Sequence, residues 1–178
     1  MQVSQLIEYD FDVQRLRDDI ELLRQRGYLT AHDHQICLTG MDANSSWRDG
    51  VGKLLERYPQ YERSMDVEVQ FNTWLPEFDD LYAKEVYQQL SQRWRLGRMR
   101  VMEIMPKACY SWHKDVSPRL HVAIDTDHTK CGLIVEDGIC RVPADGNAYL
   151  IDTTRYHTAF NAMDRSRLHL VAVVVDER

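Results

Sequence analysis

A change of periodicity near Gly97 constrains the fold of this 178-residue chain more than any other feature. Before it, apolar residues recur at helical spacing. After it, short alternating segments follow one another with turn residues between them. Residues 98–105, 108–113, 119–125, 131–136, 139–142, 147–152, 155–161 and 167–175 each have the length and composition of a strand. Glu136-Asp137-Gly138 and Asp145-Gly146-Asn147 read as hairpin turns, because Gly and Asn accept positive φ at little cost. Strand upon strand without intervening helices predicts two packed antiparallel sheets, a double-stranded β-helix or jelly roll.

Upstream, Val13, Leu16, Ile20 and Leu23 mark a helix that stops at Gly27. Residues 47–57 predict a second, shorter helix around Val51, Leu54 and Leu55. After Pro76, the set Phe78, Leu81, Tyr82, Val86, Leu90 and Trp94 predicts a longer one ending at Gly97, while 3–9, 34–40 and 66–72 read as extended. These helices are expected to cover one sheet from outside, so the class is mainly β with N-terminal helices, an α+β arrangement. No Pro/Gly/Ser-rich linker interrupts the chain. A single domain, 1–178, is expected, with 1–97 a mostly helical support region and 98–178 the β core.

A net charge of −6 excludes an extended nucleic-acid surface, which needs clustered Lys and Arg. The basic stretch Arg93–Arg100 reads as a solvated face, and no apolar run reaches the length of a membrane span. The N-terminus lacks the pattern of a signal peptide, and Cys37, Cys109, Cys131 and Cys140 show no paired spacing. A cytoplasmic protein with reduced thiols is the expectation.

Chemistry concentrates in the β half. His113 and Asp115 sit where a strand gives way to a loop, and side chains at i and i+2 point the same way. His157 follows within a later strand. Two imidazoles and one carboxylate suit the facial triad of a non-haem Fe(II) centre. H-x-D alone is a weak signal in a chain with seven histidines; its order with His157 and Arg167 carries the weight. Strand alternation puts Arg167 with His169, and Arg119 with His121 and Ala123, on faces opposite their Leu/Val neighbours. These polar faces either meet solvent or, if helices cover the apolar faces, are enclosed. An enclosed Arg without a partner is unfavourable by several kcal/mol, roughly. A bound dicarboxylate would supply that partner. His32 and His34, and His128, read as surface residues.

Met105-Pro106, then His113-x-Asp115 and Arg119-x-His121, resembles the aspartyl/asparaginyl β-hydroxylase branch of the 2-oxoglutarate- and Fe(II)-dependent oxygenases. So does Gly146-x-x-x-x-Ile151-Asp152-x-x-x-x-His157-x-x-x-Asn161, followed by Arg167. The likeness covers residues 98–175. It implies Fe(II) held by His113, Asp115 and His157, and 2-oxoglutarate chelating it with the distal carboxylate on Arg167. It further implies His121 beside the co-substrate and Arg119 lining the pocket. Tyr110, Ser111 and Thr158 are candidates for a hydroxyl assisting Arg167. The expected reaction is O₂-dependent hydroxylation of a C–H bond in an amino acid, a peptidyl side chain or another small carboxylate, with Arg119 and Arg155 or Arg165 meeting the acid. Two other readings are a cupin-like metalloenzyme with redox-neutral chemistry and a non-catalytic jelly-roll binding module.

Overall fold

A computed structural model describes residues 4–136 and 138–178. Strands β1 (Ser4–Ile7), β2 (Gln35–Cys37), β5 (Trp94–Ile104), β7 (Arg119–Asp125), β10 (Ala148–Ile151) and β12 (Arg167–Glu177) form a six-stranded sheet in the order β1-β10-β7-β12-β5-β2. Facing it is a four-stranded sheet in the order β6-β11-β8-β9, made of β6 (Ala108–Cys109), β8 (Cys131–Val135), β9 (Gly138–Cys140) and β11 (His157–Asn161). All pairings in both sheets are antiparallel. The two sheets make the double-stranded β-helix the strand pattern predicts, open along its edges. A short ribbon, β3 (Thr39–Gly40) with β4 (Thr73–Trp74), flanks them. The helices are α1 (Val13–Gln25), α2 (Leu54–Arg57), α3 (Ser64–Glu68) and α4 (Ala83–Arg93), with a 3₁₀ turn at Pro76–Phe78. Among the described residues no helix is long and apolar enough to cross a membrane.

Helix α1 begins where Asp12 accepts from the backbone of Gln14 and Arg15, and it ends at Gly27, whose φ of +78° breaks the helix. Its buried face, Leu16, Ile20 and Leu23, joins Val86 and Leu90 of α4 over the outer face of the large sheet, Met99, Val101, Leu120, Val122, Leu168 and Leu170 among them. Asp19, buried on α1, accepts from the free N–H groups of Tyr82 and Ala83 at 3.0 and 2.8 Å and so clamps the start of α4. The inner face of the same sheet packs on the small sheet through Ile104, Ala123, Ile151, Leu133, Val135 and Ala159. Both faces of the large sheet are therefore covered.

Several local expectations are corrected. Residues 47–53 form turns, leaving only Leu54–Arg57 helical, because the carbonyls of Gly50 and Gly52 turn inward to Arg98 at 2.8 Å each. Residues 64–68 are helical, not extended: Val67 and Phe71, four apart, share the buried side, a spacing that alternating apolar residues had masked. Helix α4 ends at Arg93, and Trp94 opens β5 without a loop. Gly97 lies within that strand; a Cβ there would stand 2.6 Å from the Glu68 carbonyl oxygen. The first half also adds β1 and β2 to the large sheet. Val3 of the expected 3–9 segment and Asp137 of the expected hairpin lie outside the described residues.

Candidate metal centre

His113 and His157 face each other across an isolated antiparallel bridge between the loop after β6 and the start of β11. Each donates its backbone N–H to the other's carbonyl, at 3.0 and 2.8 Å. Their rings lie 4.3 Å apart, centroid to centroid. Each Nδ1 meets the carbonyl two residues upstream, His113 that of Ser111 at 2.7 Å and His157 that of Arg155 at 3.0 Å. A carbonyl accepts only, so Nδ1 carries the proton and the Nε2 lone pair is left free, the tautomer a metal ligand needs.

Asp115 is positioned by its own N–H, which donates to the Thr153 carbonyl at 2.9 Å, while Thr153 Oγ1 donates to the Ser117 carbonyl at 2.8 Å. The donor atoms of His113, Asp115 and His157 lie within 4.8 Å of one another. Burial alone would push the Asp115 carboxyl up; Arg119, then His157 and Arg100, outweigh it and hold the carboxyl below its usual range. Burial also lowers His157, which keeps it neutral and able to bind a cation near pH 7.

The triad opens into a cavity of about 650 Å³ between the sheets. Register sets the inner face of the large sheet, of which Arg100, Met102, Arg119, His121 and Val171 line the cavity. On the inner face of the large sheet, His121 pairs with Val171, which pairs with Arg100; Ala123 pairs with His169, which pairs with Met102; Arg167 pairs with Ile104. Arg119, His121, Arg167 and His169 are all enclosed, at 2, 6, 4 and 1% exposure. Helices cover the opposite face, so the solvent-facing reading of these positions fails. His121 and His169 are held well below their ordinary pKa, by burial first and then by Arg167, so both are neutral. Among the described residues neither ring nitrogen of His121 has a hydrogen-bond partner, and His121 lines the cavity. Among the described residues Arg167 has one hydrogen-bond partner, His169 Nδ1 at 3.3 Å, and burial pulls its pKa down to about 10. Among the described residues no carboxylate reaches it.

Arg119 does line the cavity, but it is occupied: its Nε stands 3.1 Å from Asp115 Oδ2 and its Nη2 2.9 Å from Glu68 Oε2. Glu68, on α3, also holds Arg98 Nη2 at 2.9 Å. The sequence did not single out Glu68, and it placed Arg98 and Arg100 on a solvated face. Only Arg93 and Arg95 of that stretch are exposed; Arg98 and Arg100 are buried on the cavity side of β5. Extending strand alternation to Arg98-x-Arg100 would have found them. Arg165 and Arg155, expected near the mouth for an acidic substrate, are matched instead by Asp125 and Glu136. Tyr110 gives its hydroxyl to the Glu103 carbonyl at 3.3 Å, and Thr158 to the Tyr110 carbonyl at 2.6 Å; Ser111 lines the cavity. His34 is half-buried against Glu103 at 3.2 Å, while His32 and His128 are exposed. All four cysteines are free thiols, with Cys109 exposed.

No curated protein sequence matches the chain. Among solved structures, AviO1 from Streptomyces viridochromogenes Tue57 is similar at 18% identity, over 97% of this chain and 89% of that one, with a TM-score of 0.53; the likeness concerns the fold. A cupin domain from Bordetella pertussis Tohama I is 15% identical over 44% of this chain and 81% of its own (TM-score 0.38). A 2OG-Fe(II) oxygenase family oxidoreductase from Burkholderia pseudomallei is 12% identical over 44% and 42% (TM-score 0.38), so this chain spans under half of its length. The sequence model of the aspartyl/asparaginyl β-hydroxylase family matches residues 69–176, from the turn after Glu68 through nearly all of β12. That match covers the triad, Arg119, His121 and Arg167, and the chain belongs to the aspartyl/asparaginyl β-hydroxylase family.

Proposed function

We propose that this protein is a 2-oxoglutarate- and Fe(II)-dependent hydroxylase. The observation that carries the reading is the convergence of His113, Asp115 and His157 with both imidazoles already fixed in the metal-binding tautomer. Two nitrogens and one carboxylate oxygen on one side of a cation suit Fe(II) with positions left open. Bound there, Fe(II) with 2-oxoglutarate and O₂ supplies the oxidising power: a substrate C–H becomes C–OH while 2-oxoglutarate becomes succinate and CO₂.

The chain's own residues do the rest. Arg167 meets the distal carboxylate of 2-oxoglutarate, which relieves a buried guanidinium of its missing counter-charge. His121, neutral and unpartnered, donates one N–H toward the same co-substrate. Arg119 keeps Asp115 ionised and oriented. Leu133, Ala159 and Val171 give the cavity apolar walls that limit water around the reacting centre.

The test is anaerobic addition of Fe(II) and 2-oxoglutarate, expected to give a weak visible charge-transfer band, followed by succinate release in air. Asp115→Ala should lose iron. Arg167→Ala should keep iron and raise the 2-oxoglutarate concentration required. Metal binding with neither band nor succinate would return the protein to redox-neutral cupin chemistry, and wild-type turnover by Arg167→Ala would remove the co-substrate assignment.

A further inference from the structure

Four guanidiniums are buried on the inner face of the large sheet or at its edge: Arg98, Arg100, Arg119 and Arg167. They are not equally matched. Arg98 has Glu68 and two carbonyls; Arg119 has Glu68, Asp115 and the Ser117 hydroxyl at 2.6 Å. Arg167 is served in the reading above by the co-substrate. Arg100 remains. The residue is 7% exposed, its Nη1 donates to the Gln35 amide oxygen at 3.0 Å, and among the described residues its Nε has no hydrogen-bond partner. No ion pair reaches it from any described residue.

Charge balance sharpens the point. Glu68 and Asp115 offset two of the four cations. Fe(II) and a 2-oxoglutarate dianion bring equal and opposite charge, so loading the site leaves that surplus unchanged. An unmatched cation in a dry interior is destabilising, so a site that keeps one is built for an anion that arrives later. Burial and the neighbouring Arg98, only partly opposed by Glu68, pull Arg100 down to about 9, which still leaves it charged at neutral pH.

Position separates this cation from the co-substrate. Arg167 lies at the Ile104 end of β5, two inward-facing residues beyond Arg100, whereas Arg100 pairs across the sheet with Cys37 on β2. Arg100, Gln35, Leu54, Leu55 and Ser64 all line the cavity on the side of the N-terminal region. With its oxygen held by Arg100, the Gln35 amide presents only N–H donors. A planar guanidinium beside an amide N–H₂, flanked by Leu54, Leu55 and Met102, matches a carboxylate on an aliphatic body.

We propose that Arg100 and Gln35 form a carboxylate subsite for the organic substrate, distinct from the co-substrate carboxylate site; this rests on the hydroxylase reading for its role in catalysis. The substrate is then a small molecule or side chain that carries its own carboxylate at a fixed offset from the carbon to be hydroxylated.

The experiment uses butyrate, a poor chelator, as the probe, with butyramide and inorganic phosphate as comparisons. Binding is measured by calorimetry on the metal-free protein and again with Fe(II) and 2-oxoglutarate held anaerobically. Butyrate is expected to bind both forms, at least about tenfold more weakly in Arg100→Met, and butyramide to bind neither. The 2-oxoglutarate requirement should stay within about twofold of wild type. Equal butyrate binding by wild type and Arg100→Met would overturn the subsite. Loss of 2-oxoglutarate affinity instead would assign Arg100 to the co-substrate, and preference for phosphate would overturn the carboxylate. The metal-free arm reports on Arg100 even if the hydroxylase reading fails. Folding gives an independent readout: removing an unmatched buried cation should leave the unfolding midpoint unchanged or raise it by about 2–4 °C, whereas Arg98→Met should lower it. A midpoint lowered as much by Arg100→Met as by Arg98→Met would show that Arg100 is already satisfied and would refute the proposal. Arg100→Lys, which keeps the charge and loses the fork, should bind butyrate at an intermediate strength.

Discussion

Replacing Glu68 by Ala tests whether the N-terminal region is part of the centre or only its support. The Glu68 side chain is 7% exposed, and its carboxylate stands 2.9 Å from both Arg98 and Arg119. Removing one partner from a buried ion pair costs about 3–5 kcal/mol, because the remaining charge stays desolvated. Here two cations lose it, but each keeps other acceptors: the Gly50 and Gly52 carbonyls for Arg98, and Asp115 with Ser117 for Arg119. The loss should therefore fall near the lower bound, about 3 kcal/mol. For a chain of this size that corresponds to a midpoint roughly 6–12 °C lower. Thermal and urea unfolding of the metal-free protein, followed by circular dichroism, measure it. A second consequence concerns the metal. Without Glu68, Arg119 turns its whole charge on Asp115 and competes with a cation for the same oxygen, so Fe(II) affinity should drop by about 10–100-fold. Glu68→Gln keeps the shape and one acceptor and should lose less on both counts. If Glu68→Ala unfolds within about 0.5 kcal/mol of wild type, the ion-pair chain from α3 to Asp115 is not stabilising and the argument fails.

Other perturbations follow the same logic. Gly97→Ala would drive a methyl against the Glu68 carbonyl and should destabilise by about 1–3 kcal/mol, detectable as a lower urea midpoint; an unchanged midpoint would mean that β5 and α3 separate freely. His121 and His169 have folded-state pKa values far below the unfolded value, so the unfolded chain binds more protons once pH falls below about 6.5. Their contribution is complete above that pH and is lost as pH drops, by roughly 2 kcal/mol for each between pH 7 and 5; a flat stability profile across that window would contradict their burial as neutral rings. Asn161→Ala should cost about 2 kcal/mol or more, since its amide donates to the carbonyls of Ile104, Met105 and Arg165; hydrogen exchange at β5 and β11 would report the loosening, and unaltered protection would refute it.

Legibility from the sequence tracked the range of the interactions. The helical spacing of α1 and its Gly27 stop, the strand β7 at 119–125 and the grouping of Arg167 with His169 all follow from neighbours within a few residues. The convergence of His113, Asp115 and His157 needed only one more assumption, that the strands between them return the chain across a sheet. Residues 64–68 resisted because Val67 and Phe71 satisfy a helix while Val67, Val69 and Phe71 also mimic alternation. Arg93–Arg100 resisted because a basic run on a strand has no local sign that says which face will be covered.

Sequence alone determined which residues share a face, because backbone geometry imposes periods of two and of 3.6 whatever surrounds them. Tertiary structure decided which of those faces is dry, and which acid lies against which base. Glu68 meets Arg98 thirty residues away and Arg119 fifty-one away, and Arg100 forms no ion pair with any described residue. Such pairings depend on helix α3 settling over the open edge of the sheets. That is a matter of packing between distant segments, which no local pattern encodes.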